Sequence, residues 1–183
     1  MRLTMPTNVE RCQRRNYFRM ETGELTLPEV DIWPLLDPKS VLVAERANEL
    51  KYQAIHDPTA SVVEVAPADD EAIMPEVGPK FSGMLLNIGG GGVGLRVNPG
   101  DAQSLTRHKV FWLRFTLPPM VSTPVCATGK LAHTNVDSTQ HTYAGMAFDF
   151  SFNPGHQRVV VEQICQYITS QQQAQLDRTA EAA

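Results

Sequence analysis

The spacing of apolar residues divides this chain into a strand-rich middle and a helical end. From Val110 to Leu117 apolar and polar positions alternate, with Phe111, Leu113, Phe115 and Leu117 on one side. That is the signature of a half-buried strand, and Pro118–Pro119 stops it. Val125–Ala132 repeats the alternation through Val125, Ala127, Gly129 and Leu131, and Tyr143–Phe150 places Met146, Phe148 and Phe150 together. Upstream, Phe81–Ile88 and Val93–Val97 are strand-like and joined through Gly89–Gly92. Short strands separated by turn-rich gaps describe an antiparallel barrel or sandwich. Near the end the period becomes helical. Asn153 suits a helix cap with Pro154 at the first position, and Val160, Ile164, Tyr167 and Ile168 form one stripe. A helix is expected over 154–170, followed by a polar tail over 171–183 that frays into solvent.

Residues 20–80 carry no such clear period. Seven prolines interrupt them, from Pro28 to Pro79. A helix over Ser40–Ile55 follows Pro38, with Val43, Ala47, Leu50 and Ala54 expected to face the core. Ser61–Val65 reads as a short strand before the acidic run Asp69-Asp70-Glu71. A stretch this long with so little pattern reads as an insertion between two core strands. Residues 1–19 are polar and arginine-rich and read as an arm. The expected organisation is therefore an arm (1–19), a barrel domain (20–170, with 20–80 inserted) and a tail (171–183).

Composition supports one folded domain: 42% of residues are hydrophobic and 20% charged, within 183 residues. The net charge of −4 conceals an asymmetry. Residues 1–19 hold five arginines against Glu10, a net of +4, while the other 164 residues hold 11 basic against 19 acidic side chains, a net of −8. A small positive patch on an acidic body suits a local anion, whereas a nucleic-acid binder is usually basic over a wider face. No nucleic-acid partner is expected. Cys12, Cys126 and Cys165 are odd in number and widely spaced, which excludes a disulfide framework and a zinc-type cluster. No apolar run approaches the roughly 20 residues needed to span a bilayer, and the N-terminus lacks a signal-peptide core. A cytoplasmic protein without membrane insertion is expected.

Two groups of residues carry candidate chemistry. The first is Arg14, Arg15 and Arg19, with Arg11 upstream. Guanidinium groups bind phosphate through paired hydrogen bonds at any working pH and also grip the O6/N7 edge of guanine. On the arginines alone, a solvated basic arm remains an open reading beside capture of a phosphate-bearing ligand. The second is Asn87-Ile88-Gly89-Gly90-Gly91-Gly92-Val93-Gly94. Glycine lets a ligand or another backbone approach closely, and it also simply makes a tight hairpin turn. A dinucleotide fingerprint would need a helix after Gly94, where Leu95–Val97 reads as strand, and a phosphate-binding Walker loop would need Lys-Ser/Thr. Neither is present. The five histidines, His56, His108, His133, His141 and His156, show no metal-ligand spacing, and no nucleophile has a base partner. Asp149 is expected to face solvent between Phe148 and Phe150. The chain is not expected to be an enzyme, and no cofactor or metal is expected.

The two groups, in this order on a barrel, resemble the PilZ domain family. Its marks are an R-x-x-x-R arm, met by Arg15-Asn16-Tyr17-Phe18-Arg19, and a [DN]-x-S-x-x-G strand, met at Asn87 and Gly92. Gly89 stands where the serine belongs. The resemblance covers roughly residues 9–19 and 81–170 and implies a six-stranded antiparallel β-barrel with a C-terminal helix. It also implies a receptor for cyclic di-GMP, in which Arg15 and Arg19 grip the ligand while Asn87, Gly89 and Gly92 form the floor. Arg14, just before the first motif, is the position that goes with a stacked ligand dimer. Binding would alter docking of a neighbouring N-terminal domain or of a flagellar or secretion partner, regulating motility or exopolysaccharide output. The polar start at Arg2–Pro6 is read as continuing such a domain. Loss of one hydroxyl at Gly89 removes about 0.5–1.5 kcal/mol. A PilZ-like domain that no longer binds the nucleotide and acts through protein contacts is the alternative.

Overall fold

The structure is a computed structural model and describes residues 19–21, 28–56, 73–119 and 121–181. In chain order these form β1 (Arg19–Glu21), β2 (Glu29–Pro34), α1 (Val41–His56, entered through a 3-10 turn at Pro38–Ser40), β3 (Phe81–Gly89), β4 (Gly92–Val97), α2 (Ala102–Arg107), β5 (Val110–Leu117), β6 (Val121–Val136), β7 (Thr142–Phe148) and α3 (His156–Glu181). Every strand pairing among the described residues is antiparallel. The sheet runs β1-β3-β2-β5-β6-β7-β4, and the further pairing of β4 with β3 closes β2 to β7 into a six-stranded barrel. β1 stands outside this ring. It shares one edge of β3 with β2, which pairs with residues 81–84 while β1 pairs with 87–89.

The core follows from the alternation. Phe111, Leu113, Phe115 and Leu117 all point inward with Val125 and Ala127, and Ile88, Leu95 and Val97 meet them from β3 and β4. The stripe of α3 joins the same core, with Val160 and Ile164 fully buried. β5 differs from a half-buried strand in one respect: its outer face is covered too. Trp112 packs there with Trp33, Leu35, Val41, Ala44 and Cys126 beneath α1.

Three expectations need correction. The segment 20–80 is not wholly an insertion, because β2 supplies the sixth barrel strand and buries Val30 and Ile32 completely. Six residues ending at Pro34 are too short to announce themselves by period alone. The helix α1 forms where predicted but turns the opposite face inward. Val43 is 71% exposed and Leu50 42%, while Val41, Ala44, Glu45, Asn48, Glu49 and Tyr52 are buried. The surface under α1 offers hydrogen-bond partners: Asn48 Nδ2 donates to the Pro124 carbonyl at 2.8 Å and Thr128 Oγ1 to Glu45 Oε1 at 3.4 Å. Those partners decide the rotation of the helix. Finally, α3 runs on to Glu181, so 171–181 is helix where a frayed tail was expected. Glutamine and alanine are good helix formers, and α3 is already nucleated by its buried stripe. Ser61–Val65 and the acidic run 69–71 lie outside the described residues.

Candidate functional site

The glycine run forms the hairpin between β3 and β4, with Gly90 and Gly91 in the turn. Gly92 has φ +152°, and a Cβ there would overlap the Met146 carbonyl of β7. Glycine is therefore required at this point by both conformation and space. Gly92 pairs back to Gly89, and Asn87 faces Gly94 across a register shift that begins at Leu85. Such a shift re-aims the side chains that follow it.

β1 lies against this hairpin. Arg19 is in register with Gly89, Met20 with Ile88 and Glu21 with Asn87. Residues some 70 positions apart in sequence thus become direct neighbours. Of the predicted site residues, the structure brings Arg19, Asn87, Gly89 and Gly92 into one corner of the barrel; Arg14 and Arg15 lie outside the described residues. Asn87 Oδ1 is buried and has no hydrogen-bond partner among the described residues, whereas Asn87 Nδ2 lies 3.4 Å from Tyr143 Oη.

Two residues of this corner belong to no motif. Tyr143 projects from the outer face of β7 beside Asn87, and the ring of His133 lies 5.5 Å from the Tyr143 ring, tilted by 35°. They meet because Gly94 and Gly145, paired across β4 and β7, leave room on the outer face. Glycines in the outward phase of two strands were the available signal.

A second polar cluster sits where α1, β6 and the start of α3 converge. His156 is fully buried, donating from Nε2 to the Cys126 carbonyl at 2.7 Å, with Nδ1 3.4 Å from Glu49 Oε1. Asn153, the expected helix cap, accepts the His156 N–H on its backbone carbonyl at 3.1 Å and donates its side-chain amide to Glu49 Oε1 at 3.0 Å. Burial pushes Glu45 up to about 7, against the opposing hydrogen bonds of Asn153 and Thr128. Burial holds His156 below its ordinary value, opposed by the Cys126 carbonyl and by Glu49. Burial also acts to raise Glu49, but Arg46, Asn153 and His156 outweigh it and hold that carboxyl below the usual range. Asp149, expected to face solvent, is largely covered and pairs with Lys130 at 2.8 Å. Burial alone would raise its pKa, and Lys130 and Ser151 bring it below the ordinary value. The cluster ties α1, β6 and the start of α3 together. A groove of about 570 Å³ lies between α1 and α3, lined by charges of both signs including Arg46, Arg158 and Glu162. None of the predicted site residues lines it. Among the described residues no group of His, Cys, Asp or Glu is placed to hold a metal ion, and no helix is long and apolar enough to cross a membrane.

No family model and no curated protein sequence matches the chain. Among the solved structures that resemble it are the following three. One is the inhibitor of motility MotI/DgrA of Bacillus subtilis, at 12% identity and a TM-score of 0.48, covering 88% of this chain. The present chain spans about half of that protein, 54% of its length. The PilZ domain of YcgR from Escherichia coli, solved with c-di-GMP, gives 13% identity and a TM-score of 0.44, over 89% of this chain and 98% of that one. A tetrameric PilZ domain of Xanthomonas campestris, self-assembled through a helical bundle, gives 10% and 0.46, over 87% and 92%. The barrel itself is defined by its own strand pairings. The chain is similar to all three, two of which are described as PilZ domains.

Proposed function

We propose that the chain is a cytoplasmic, non-catalytic receptor module for cyclic di-GMP, with Arg14, Arg15 and Arg19 on one side of the ligand and Asn87, Gly89 and Gly92 on the other. One observation supports this reading above the rest. Arg19, the last residue of the arginine motif, pairs with Gly89 of the glycine hairpin, so one residue of each motif stands side by side. An arm that merely carried solvated charge has no reason to end on that strand. Glycines keep the hairpin low, and the arginines supply charge-assisted bonds to phosphate and guanine. Arg14 offers a further guanidinium for a second, stacked ligand. Ordering of the arm on ligand binding would then change how a neighbouring domain or protein partner docks, with motility or exopolysaccharide output as the regulated process.

Gly89 favours a second reading. It stands at the serine position and, lacking a side chain, offers no hydroxyl to a ligand. A module that has lost the nucleotide and works through protein contacts fits that substitution.

Calorimetric titration with cyclic di-GMP separates the two. The receptor reading predicts saturable heat, and no heat with ligand on the order of tens of micromolar refutes it. Charge-assisted hydrogen bonds contribute about 1.5–3 kcal/mol each, so Arg15→Ala and Arg19→Ala should each weaken binding by roughly 10- to 150-fold. Arg114→Ala is the control, because that guanidinium lies on β5, 3.6 Å from Asp31 Oδ2 and over the Trp33 ring. Equal loss in all three variants would mean a non-specific charge response.

A further inference from the structure

The candidate hairpin holds a buried polar atom that has no partner among the described residues. Asn87 Oδ1 is buried and unpaired, while Asn87 Nδ2 donates to Tyr143 Oη at 3.4 Å. In the structure the Tyr143 hydroxyl takes the donor end of the amide, Nδ2, and the acceptor end, Oδ1, faces away from it. A buried acceptor left without a donor is costly, and such atoms call for a specific explanation.

The surroundings are built for this contact. Gly94 is the register partner of Asn87 on β4, and a Cβ at Gly94 would overlap the Asn87 amide and come within 2.7 Å of Tyr143 Oη. On the next strand Gly145 leaves room for the His133 ring, which lies against Tyr143. The chain His133–Tyr143–Asn87 therefore lies across the outer face of β6, β7, β4 and β3, over two glycines that make it sterically allowed. β1 runs beside the amide, with Glu21 in register with Asn87, and it stands outside the closed ring.

We infer that Tyr143 is a positioning residue for ligand recognition, fixing the Asn87 amide so that its oxygen faces the ligand and accepts a hydrogen bond from an N–H or O–H donor. The inference rests on the receptor reading above and deepens it. The ligand edge selected at Asn87 is a donor edge, as guanine presents at N1 and its exocyclic amine. A carboxylate at position 87 presents acceptors at both ends and needs no orientation, and this makes the role separable from simple packing.

The test is a double-mutant cycle on the full chain, read by calorimetric titration with cyclic di-GMP: wild type, Tyr143→Phe, Asn87→Asp and the double variant. In the asparagine background Tyr143→Phe should weaken binding by about three- to tenfold, the worth of one misdirected neutral hydrogen bond. In the aspartate background the same change should alter affinity by less than about twofold. Thermal midpoints are measured alongside, and a loss of packing would lower both backgrounds alike. Equal affinity loss in both backgrounds, or none in the asparagine background, overturns the inference while leaving the receptor reading intact. No binding by the wild type overturns the receptor reading and the inference with it.

Discussion

Replacing Glu45 by Gln should flatten the pH dependence of stability. Glu45 is 1% exposed beneath α1, and burial raises its pKa to about 7 from 4.5. Because the folded-state value is raised, the stabilising contribution is complete below pH 4.5 and is lost as pH rises through about 7. At 1.36 kcal/mol per unit the full loss in wild type is about 3 kcal/mol, of which roughly 2 kcal/mol falls between pH 5 and 7.5. Glutamine keeps the shape and an acceptor for Thr128 but cannot ionise. His156 works in the opposite direction: its lowered pKa removes stability as pH falls below 6.5. That contribution is common to both proteins and drops out of their difference, as do those of Glu49 and Asp149 to first order. Urea unfolding followed by tryptophan fluorescence suits the question, since Trp33 and Trp112 both pack under α1. The Glu45→Gln variant should gain roughly 2 kcal/mol on wild type between pH 5 and 7.5. Parallel stability curves for the two proteins would show that Glu45 is not held neutral by its burial and would refute the reasoning.

Gly92→Ala should destabilise the barrel by at least about 2 kcal/mol, because φ +152° and the overlap with the Met146 carbonyl penalise any Cβ; chemical denaturation measures it, and a change below about 0.5 kcal/mol contradicts it. Ile164→Ala removes a fully buried side chain at the join of α3 and the barrel, and should cost about 2–5 kcal/mol by the same assay. The Arg15, Arg19 and Tyr143 variants test the ligand reading as set out above.

How far the sequence discloses this molecule depends on whether the deciding partner is local. The strand over 110–117 was legible because alternation of Phe111, Leu113, Phe115 and Leu117 reflects one face meeting one core. The stripe of α3 was legible for the same reason. The orientation of α1 was not: Val43 and Leu50 are the more apolar choice, but the barrel wall beneath α1 offers Thr128 and the Pro124 carbonyl, residues far off in sequence. β2 was hidden by its brevity and by the prolines around it. The site divides likewise. Arg19, Asn87, Gly89 and Gly92 stand out as motif residues, whereas Tyr143 and His133 join them only through the pairing of β4 with β7 and of β7 with β6. The buried His156–Glu49 contact, bridging the first helix and the last, leaves no spacing signal at all.

The central claim is that Arg19 and the Asn87–Gly92 hairpin form one side and the floor of a single ligand site. Calorimetric titration of cyclic di-GMP into wild type, Arg19→Ala and Arg114→Ala tests it most directly. Wild type and the Arg114→Ala variant should bind saturably, and the Arg19→Ala variant should lose roughly tenfold or more in affinity. An absence of heat in wild type, or equal binding by wild type and the Arg19→Ala variant, would contradict it.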